Sequence, residues 1–559
     1  MQLSSRNIIK IIVNPLSFIN LVNYKNLFIK TSLLVGSIII LSANFSYLIA
    51  AQIDVLPPQK LGLEIAKNAE RIELHGQTRL KVSLADLLYI YLVLSRSTKQ
   101  AVTSTQAAYE FSEATKGKFQ TRFSAGINKS RGQLNVLSNV SANSTEISDT
   151  SFGLKQLTPI GLSFFVKHSI KEVEQRKVTI NPLATGADRY IVDDPNSNYI
   201  TSTSLGLNFP LLNGFGVNDT NPTKQATANY IKAKLGSVQA ITGLANRVIT
   251  IYWSMVANFR YIEALESQLA LSKRLLREAE IRFDLGGRTN TNVLEFRANV
   301  LSDETKLKQA LDVLYELDDF IKLVATRADI PYSLYPSDDN MVIPFEYGST
   351  DDLFKEAKDY SLSLKSLLVD RTKARLDEEA STYKMLPKLD FNLALTQYGY
   401  GKTADSINTI KVDNEDLRSY QMGLNFEIPI GSGGNYALHR AHALMLDVVD
   451  TKIMSKEESI QITVNGWIRD LDRYLSQIKA QEVTLTLRKR LLDQTLTSFQ
   501  SGSATAQEVS GAQLRHSFSQ QALDRAKANY LIKYYQVEID RGKFLEIFPR
   551  LAEYQHLFE

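Results

Sequence analysis

Cysteine is absent from this chain of 559 residues. Without a thiol the protein has no disulfide, no thiolate metal site and no cysteine nucleophile, and acylation of an N-terminal cysteine is excluded as well. Proline and glycine are scarce, with 14 and 27 residues respectively. Because these residues interrupt regular structure, their scarcity predicts long continuous elements with few linkers.

An excess of one charge is also lacking beyond the first 51 residues. The formal net charge is +4, but positions 1–51 contain Arg6, Lys10, Lys25 and Lys30 and no acid. The rest of the chain therefore has 60 basic residues, which is 64 minus four, against 60 acidic ones. A neutral chain gives no argument for binding to phosphate backbones, so we expect no nucleic-acid partner.

Catalytic groupings are lacking too. The six histidines are scattered, and no serine, histidine and acidic residue are spaced in a way that indicates a catalytic triad. His439 and His442 are three residues apart on a predicted helix, but no third metal ligand lies nearby in the sequence. We therefore predict no enzyme activity, no metal site and no cofactor.

The first 51 residues have the pattern of an export signal. Basic residues extend to Lys30, an apolar run follows at positions 33–41, and the small residues Ala50 and Ala51 are suited to cleavage. We interpret residues 1–51 as a signal peptide; the alternative is an uncleaved anchor of about 20 residues. Beyond residue 51 no apolar run is long enough to cross a bilayer as a helix, so any further insertion would use strands.

A short strand motif occurs in both halves of the sequence. Positions 205–209 read Leu-Gly-Leu-Asn-Phe, and positions 422–426 read Met-Gly-Leu-Asn-Phe. Each copy precedes a glycine and then a very long segment with heptad spacing. The sequence therefore predicts one strand-and-helix unit that is used twice.

Several segments of about ten residues alternate between apolar and polar side chains. Such a period of two places one apolar and one polar face on a strand, and about ten residues cross a bilayer as a tilted strand. An ordinary sheet with one wet face would show the same period. The apolar positions are Phe119, Phe123, Ala125 and Ile127, then Leu389, Phe391, Leu393 and Leu395, and then Met422, Leu424, Phe426 and Ile428.

Two helical segments are longer than a compact domain needs. They run from about position 224 to 283 and from about 436 to 499, and each would measure roughly 90 Å. A glycine-bearing turn and a returning heptad helix follow each of them, which predicts two antiparallel helical hairpins. The heptad positions include Ile262, Leu265, Leu269, Leu276, Leu471, Leu475, Ile478 and Leu485.

The number of strands predicts an oligomer. The two halves supply four clear strands, whereas a membrane barrel has no unpaired edge and contains about eight strands or more. One chain cannot close such a barrel. We expect several copies to contribute four strands each, with their helical hairpins side by side as a hollow coiled-coil tube.

These patterns together resemble the TolC-like outer membrane factors. The resemblance covers nearly everything after the signal, and the glycine-led turns at positions 285–293 and 501–509 are its most specific part. Other matching segments are the helix openings at 82–87 and 349–353 and the strand start at 386–389.

The resemblance implies a membrane α/β protein built from two internal repeats: a trimeric outer-membrane β-barrel of 12 strands, continuous with a long periplasmic α-helical coiled-coil barrel. It implies an exit duct for an efflux pump or a type I secretion system. The implied partners are further copies of the chain, a periplasmic adaptor protein, an inner-membrane transporter and outer-membrane lipid. The implied location is the outer membrane, with the helical tube in the periplasm.

The family's adaptor-contacting tips and its periplasmic aperture correspond to the two turns. In the family, acidic residues shortly after the second tip glycine ring the aperture; Glu508 occupies one such position, Gly511 occupies the next, and a turn arginine is replaced by Ala504. A solvated acid at a helix start is the alternative interpretation of Glu508. The tip residues are Gly286, Gly287, Arg288, Thr289, Gly502, Ser503, Ala504 and Thr505, and the aperture residues are Glu508, Asn292 and Glu295.

The domain boundaries follow from these elements. We place the first repeat at 52–330, a linker at 331–348, the second repeat at 349–542 and a C-terminal segment at 543–559. The resemblance implies that the linker and the C-terminal segment form an equatorial girdle around the tube. The first repeat contains an extra hairpin at about 129–199. This hairpin could extend the barrel above the membrane, add strands to it or form an external cap.

One other class of function fits the long helices. A periplasmic coiled-coil scaffold or adaptor, held by an uncleaved N-terminal helix, would also need heptad hairpins. Such a protein has no need of strands with one apolar and one polar face. The strands therefore favour the duct.

Overall fold

The computed structural model describes residues 70–549 apart from position 75, positions 135–140, parts of 181–195, and positions 213, 286–289, 326–332, 339–340, 403–417, 429 and 432. The predicted signal in residues 1–51 lies outside the described residues. The described residues all belong to one unit, Gly62–Glu559. None of their helices has an apolar stretch that is long enough to cross a membrane.

The first half starts with a small sheet and two helices, continues through the strands of a large sheet, and ends in a helical hairpin. Its elements are β1 (Arg71–Leu74), β2 (Gln77–Val82), α1 (Leu84–Leu94), α2 (Arg96–Lys116), β3 (Arg122–Leu134), β4 (Ser141–Leu157), β5 (Ser163–Ile180), β6 (Tyr190–Val192), β7 (Asn196–Pro210), α3 (Val217–Asp284) and α4 (Asn290–Ala325).

The second half has the same order of helices, strands and helical hairpin, with fewer strands. Its elements are β8 (Ser333–Pro336), α5 (Thr350–Tyr360), α6 (Leu362–Met385), β9 (Lys388–Gly401), β10 (Arg418–Glu427), α7 (Gly433–Gln500), α8 (Ala506–Asp540) and α9 (Phe544–Ile547).

The long helices have matching lengths in the two halves. Helices α3 and α7 both contain 68 residues, or about 100 Å of helix, and the returning helices α4 and α8 contain 36 and 35 residues. The heptad pattern predicted these two hairpins, and it underestimated the long helices only at their N-terminal ends. The repeated strand motif lies at the ends of β7 and β10, directly before them.

Four helices lie side by side at each level of the chain. The first third of α3 contacts α2 and α6, as hydrogen bonds from Thr105 to the Ala233 carbonyl and from Lys232 to Asp370 show. Further along, α3 contacts α4 and α8. Helix α7 contacts α6 and then α8. At the level nearer the large sheet the four helices are therefore α2, α3, α6 and α7. At the level nearer the helical turns they are α3, α4, α7 and α8.

The large sheet contradicts the expectation of four strands per chain. Its order is β10-β9-β7-β5-β4-β3, with the short β6 paired to β5, and every pairing is antiparallel. The six long strands contain 10–18 residues. The extra hairpin supplies β4 and β5, so of the three possibilities for it the structure shows added strands of the same sheet.

At the end nearest the long helices the sheet has one apolar and one polar face, as the period of two predicted; farther from the helices the apolar face gives way to charged residues such as Lys129, Glu146 and Arg176. On the polar face, the hydroxyls of Ser204 and Thr396 on neighbouring strands lie 3.0 Å apart. On the other face an apolar row crosses all six long strands without interruption. This row consists of Phe123, Leu154, Val166, Leu205, Leu395 and Tyr420, each opposite the next.

The turn between β4 and β5 fits against the bend between β7 and α3. Gly161 in the turn has φ +81° and Gly216 in the bend has φ +82°, a region that glycine adopts without strain. A Cβ on Gly216 would lie 2.1 Å from the Pro159 carbonyl oxygen, and one on Gly161 would lie 2.9 Å from Cγ of Pro210. This close fit fixes the turn of the added hairpin at the same end of the sheet as the bend that follows β7.

A small sheet anchors the hydrophobic core between the helices. Strand β2 pairs with β1 and, in parallel, with β8. Arg79 on β2 is completely buried (0% exposed), and its guanidinium donates to Asp318 on α4 at 2.9 Å and to the Leu334 carbonyl at 3.2 Å. Asp318 also accepts from the Leu334 backbone amide at 3.2 Å. The buried ion pair thus joins β2 to α4. The hydrogen bonds of both side chains to Leu334 join them to the segment that links the two halves.

The rest of the predicted linker packs against the end of α8. Tyr530 donates to the Ile343 carbonyl at 2.5 Å, and Arg541 donates to the Glu346 carbonyl at 3.4 Å. After α8, the ring of Phe548 stacks on Tyr535 with centroids 5.7 Å apart. The linker and the start of the C-terminal segment therefore lie at one level along α8, and their role as a girdle stays a prediction.

The buried ion pair gives a stability prediction. Arg79→Met leaves the Asp318 carboxylate buried without its cation, and we expect the free energy of unfolding to fall by about 3–5 kcal/mol. Thermal unfolding of the purified protein followed by circular dichroism measures the loss. The control is the double variant Arg79→Met/Asp318→Leu, which should recover most of it because an apolar pair can replace a buried ion pair. An equal loss of stability in both variants would contradict the prediction that the unpaired Asp318 carboxylate causes the loss.

Candidate functional site at the helical tips

The second predicted tip is a tight turn between α7 and α8. Gly502 has φ +85°, the left-handed conformation that commonly ends a helix. The backbone amides of Ser503 and Ala504 donate to the Ser498 carbonyl at 2.9 and 3.1 Å, which satisfies the end of α7. Gly502 and Ser503 are exposed, and Ala504 is half-buried. The turn therefore presents a short polar loop on an ordered helical base.

Thr505 and Glu508 form a capping box at the start of α8. The Glu508 amide donates to the Thr505 hydroxyl at 3.2 Å, and the Glu508 carboxylate accepts from the Thr505 amide at 2.7 Å and from its hydroxyl at 3.0 Å. These bonds hold the pKa of Glu508 below its ordinary value, with the backbone amide as the largest cause. Glu508 is exposed. It is therefore an ionised carboxylate held at a defined place beside the tip.

The first tip lies mostly outside the described residues. Gly286, Gly287, Arg288 and Thr289 belong to the positions 286–289 that separate α3 from α4. Asn292 and Glu295 are half-buried on the first turns of α4. Their assignment to the aperture stays a prediction, as do the roles of Glu508 and of both turns.

A small apolar cluster holds the two hairpin ends together. Phe296 on α4 meets Phe499 on α7 edge-on, with ring centroids 5.5 Å apart, and the guanidinium of Arg282 lies over Phe499 at 5.7 Å. The start of α4 and the end of α7 are therefore neighbours within one chain. This tip cluster consists of Leu275, Ala279, Val293, Phe296, Phe499, Ala506 and Val509.

A buried polar network lies farther from the tips and was not found from the sequence. Asp303 on α4 is 4% exposed, and it accepts from Gln268 Nε2 and from the Ser272 hydroxyl, both at 2.7 Å. Gln513 on α8 donates to the Gln268 carbonyl at 2.8 Å and to the Ser272 hydroxyl at 3.1 Å. The network thus connects α3 to both returning helices. The sequence feature that could have revealed this network is the presence of polar residues at heptad positions that normally hold apolar core residues.

A cleft of about 400 Å³ lies beside this network, between α3, α7 and α8. Its lining residues include Arg260, Glu263, Gln513 and His516. The part of the chain that the structure describes contains no group of three acidic or histidine side chains that could hold a metal ion.

The chain is similar in sequence to two curated outer membrane proteins named TolC. The protein of Vibrio cholerae serotype O1 is 21% identical over 314 residues, which cover 54% of this chain and 68% of that protein. The protein of Salmonella enteritidis is 22% identical over 392 residues, which cover 64% and 77%. No protein-family model matches the chain.

The fold agrees with solved structures of outer membrane channels. The outer membrane channel CmeC of Campylobacter jejuni superposes with a TM-score of 0.56 at 14% identity, covering 82% of this chain and 86% of that one. The comparisons confirm the resemblance to TolC-like outer membrane proteins that the strands and turns indicated, and they agree with the predicted location in the outer membrane.

Proposed function

We propose that this chain is one subunit of a trimeric exit duct in the outer membrane. Three copies close their sheets into a barrel, and their helices continue it as a periplasmic tube. The duct serves an efflux pump or a type I secretion system. Its tips bind a periplasmic adaptor, and the adaptor links it to an inner-membrane transporter that supplies the energy.

The observation that carries the proposal is an open sheet with one apolar face. Within the described residues, β3 and β10 each pair with a single strand, so each leaves one edge free. Unpaired backbone groups are not tolerated in lipid, where only helices and closed barrels satisfy them. Three copies supply 18 long strands, three times six, in place of the 12 that the family resemblance implied.

The helices support the same assembly. Four helices per level in one chain give twelve per level in three copies, arranged as heptad hairpins. The repeated bends from β7 to α3 and from β10 to α7 connect each half of the wall to its own long helix. A scaffold without a membrane wall has no use for six amphipathic strands, so the duct is favoured over the alternative.

The tips are the proposed docking and gating region. The polar loop at Gly502 and Ser503 lies on an ordered base, beside the start of α4. Glu508, fixed by its capping box, is placed to contribute one carboxylate per copy to a ring at the aperture. Rings of carboxylates favour cations over anions.

Crosslinking between the free edges tests the trimer. Because the chain has no cysteine, introduced cysteines are the only thiols. Ser124→Cys on β3 is combined in turn with Ser419→Cys, Gln421→Cys or Gly423→Cys on β10, all on the polar face. We expect a short bismaleimide to give covalent dimers and trimers on denaturing gels in at least one combination.

The geometry excludes a link within one copy, since β3 and β10 lie five strand spacings apart in the sheet, or about 24 Å. The variant Ser124→Cys alone is the control and should give no trimer. A ladder that stops at dimers or continues beyond trimers would refute three-fold closure.

A photo-crosslinking residue at the tips tests the docking assignment. We place it at Thr289 and at Ser503, which spares the Thr505 cap, and we expect both to capture a periplasmic adaptor that mass spectrometry then identifies. The control is the exposed Lys452 on α7, about 70 Å along the helix from the tip. Capture at Lys452 with none at either tip would show that docking occurs elsewhere.

Conductance in planar bilayers tests Glu508. Glu508→Gln removes one carboxylate per copy, and we expect the preference for potassium over chloride to fall several-fold. The control Glu458→Gln removes an exposed carboxylate from α7 far from the tip and should leave the preference unchanged. Unchanged selectivity in Glu508→Gln would leave this residue with the helix cap as its only role.

A further inference from the structure

The added hairpin, β4 and β5, is an integral part of the membrane wall in the proposed duct. Its residues Leu154 and Val166 continue the apolar row between Phe123 and Leu205. Its turn fits against the bend between β7 and α3. The hairpin therefore spans the same height as its neighbours, and its other face belongs to the lumen.

Three cations lie together on that lumen face. Arg122, Lys155 and Lys167 each adjoin a member of the apolar row in sequence, so their side chains extend from the opposite face. Arg122 on β3 is directly opposite Lys155 on β4. Lys155 is opposite Phe165 on β5, which makes Lys167 its diagonal neighbour at about 7–8 Å. All three side chains are exposed.

Neighbouring acids do not neutralise these cations. On the same face, Lys171 is directly opposite Asp149, and Lys388 pairs with Glu427 at 3.4 Å. Arg122, Lys155 and Lys167 have no ion-pair partner within the described residues. The remaining acid on this face is Asp390, at the periplasmic end of β9 and next to Pro210 on β7.

Like charges directly opposite each other destabilise a sheet. An uncompensated group of three is therefore unfavourable for the fold alone, and two of its members, Lys155 and Lys167, come from the added hairpin. At the inner surface of a wall with low-dielectric sides, such charges raise the local concentration of ions of opposite sign. The arrangement matches a site that attracts anions.

We propose that Arg122, Lys155 and Lys167 form a cationic ring in the lumen of the membrane wall, which selects cargo of net negative charge. The inference rests on the proposed function, because the ring closes only when three copies surround one passage. Three copies place nine cations in it, three from each chain. Carboxylate-bearing cargo is the chemistry that this ring recognises.

Block of the open channel by anions tests the proposal. The full-length protein is inserted in planar bilayers at about 0.1 M salt, where the screening length is about 10 Å. A hexa-aspartate peptide or citrate is then added on the barrel side, so that the blocker meets the wall before the tips. We expect voltage-dependent block, and in the variant Arg122→Gln/Lys155→Gln/Lys167→Gln we expect the blocking concentration to rise about tenfold or more.

A matched variant controls for loss of charge as such. Lys129→Gln/Arg131→Gln/Arg176→Gln removes three cations from β3 and β5 on the opposite face, where Lys129 pairs with Glu146 and Arg176 with Glu174. This variant should be blocked by hexa-aspartate and by citrate at the same concentrations as the unmodified protein. A second variant, Lys155→Glu/Lys167→Glu, should lose block by hexa-aspartate and gain block by hexa-lysine.

The outcomes separate the inference from the function on which it rests. A conducting channel whose block is unchanged in the triple glutamine variant, or equally weakened in the matched variant, overturns the cationic ring and leaves the duct intact. Failure of the crosslinks between β3 and β10 to give covalent trimers overturns the duct, and the ring with it. Block by both citrate and the peptide would identify carboxylates in general as the ligand of the ring. Block by the peptide alone would identify acidic polypeptides as the ligand.

Discussion

The free edges of the large sheet are the constraint on which the rest of the structure depends. A strand edge presents a row of unpaired amides and carbonyls, and lipid offers no water to satisfy them. Within the described residues, β3 and β10 each expose such an edge while the sheet has a continuous apolar face. In the proposed duct, closure between copies satisfies both edges at once.

The parts of the fold that depend on local periodicity could be predicted from the sequence. The heptad residues Leu265 and Leu471 are buried on α3 and α7, because a 3.6-residue period defines the buried side of a helix without knowledge of its neighbours. The left-handed turn at Gly502 was likewise visible as a glycine after a helix. The capping box of Thr505 and Glu508 also had a sequence signal, threonine followed three residues later by glutamate.

The parts that depend on pairing across the chain could not be predicted. The alternation around Leu154 and Val166 indicated strands, but the same alternation suits a cap, an extension or a wall, because register is set by partners distant in sequence. The network of Asp303, Gln268 and Gln513 was missed for a related reason. Polar residues at core heptad positions become favourable only when their partners from other helices are in place, and no single helix shows that.

The added hairpin also has a consequence for how the two parts of the proposed duct join. Eighteen strands about 4.8 Å apart and tilted by about 40° have a perimeter of about 113 Å, whereas twelve would have about 75 Å. Twelve helices with axes 8–10 Å apart have a perimeter of about 96–120 Å. Six strands per copy therefore match the circumference of the wall to that of the helical ring, so the duct passes from one to the other without tapering at the bends.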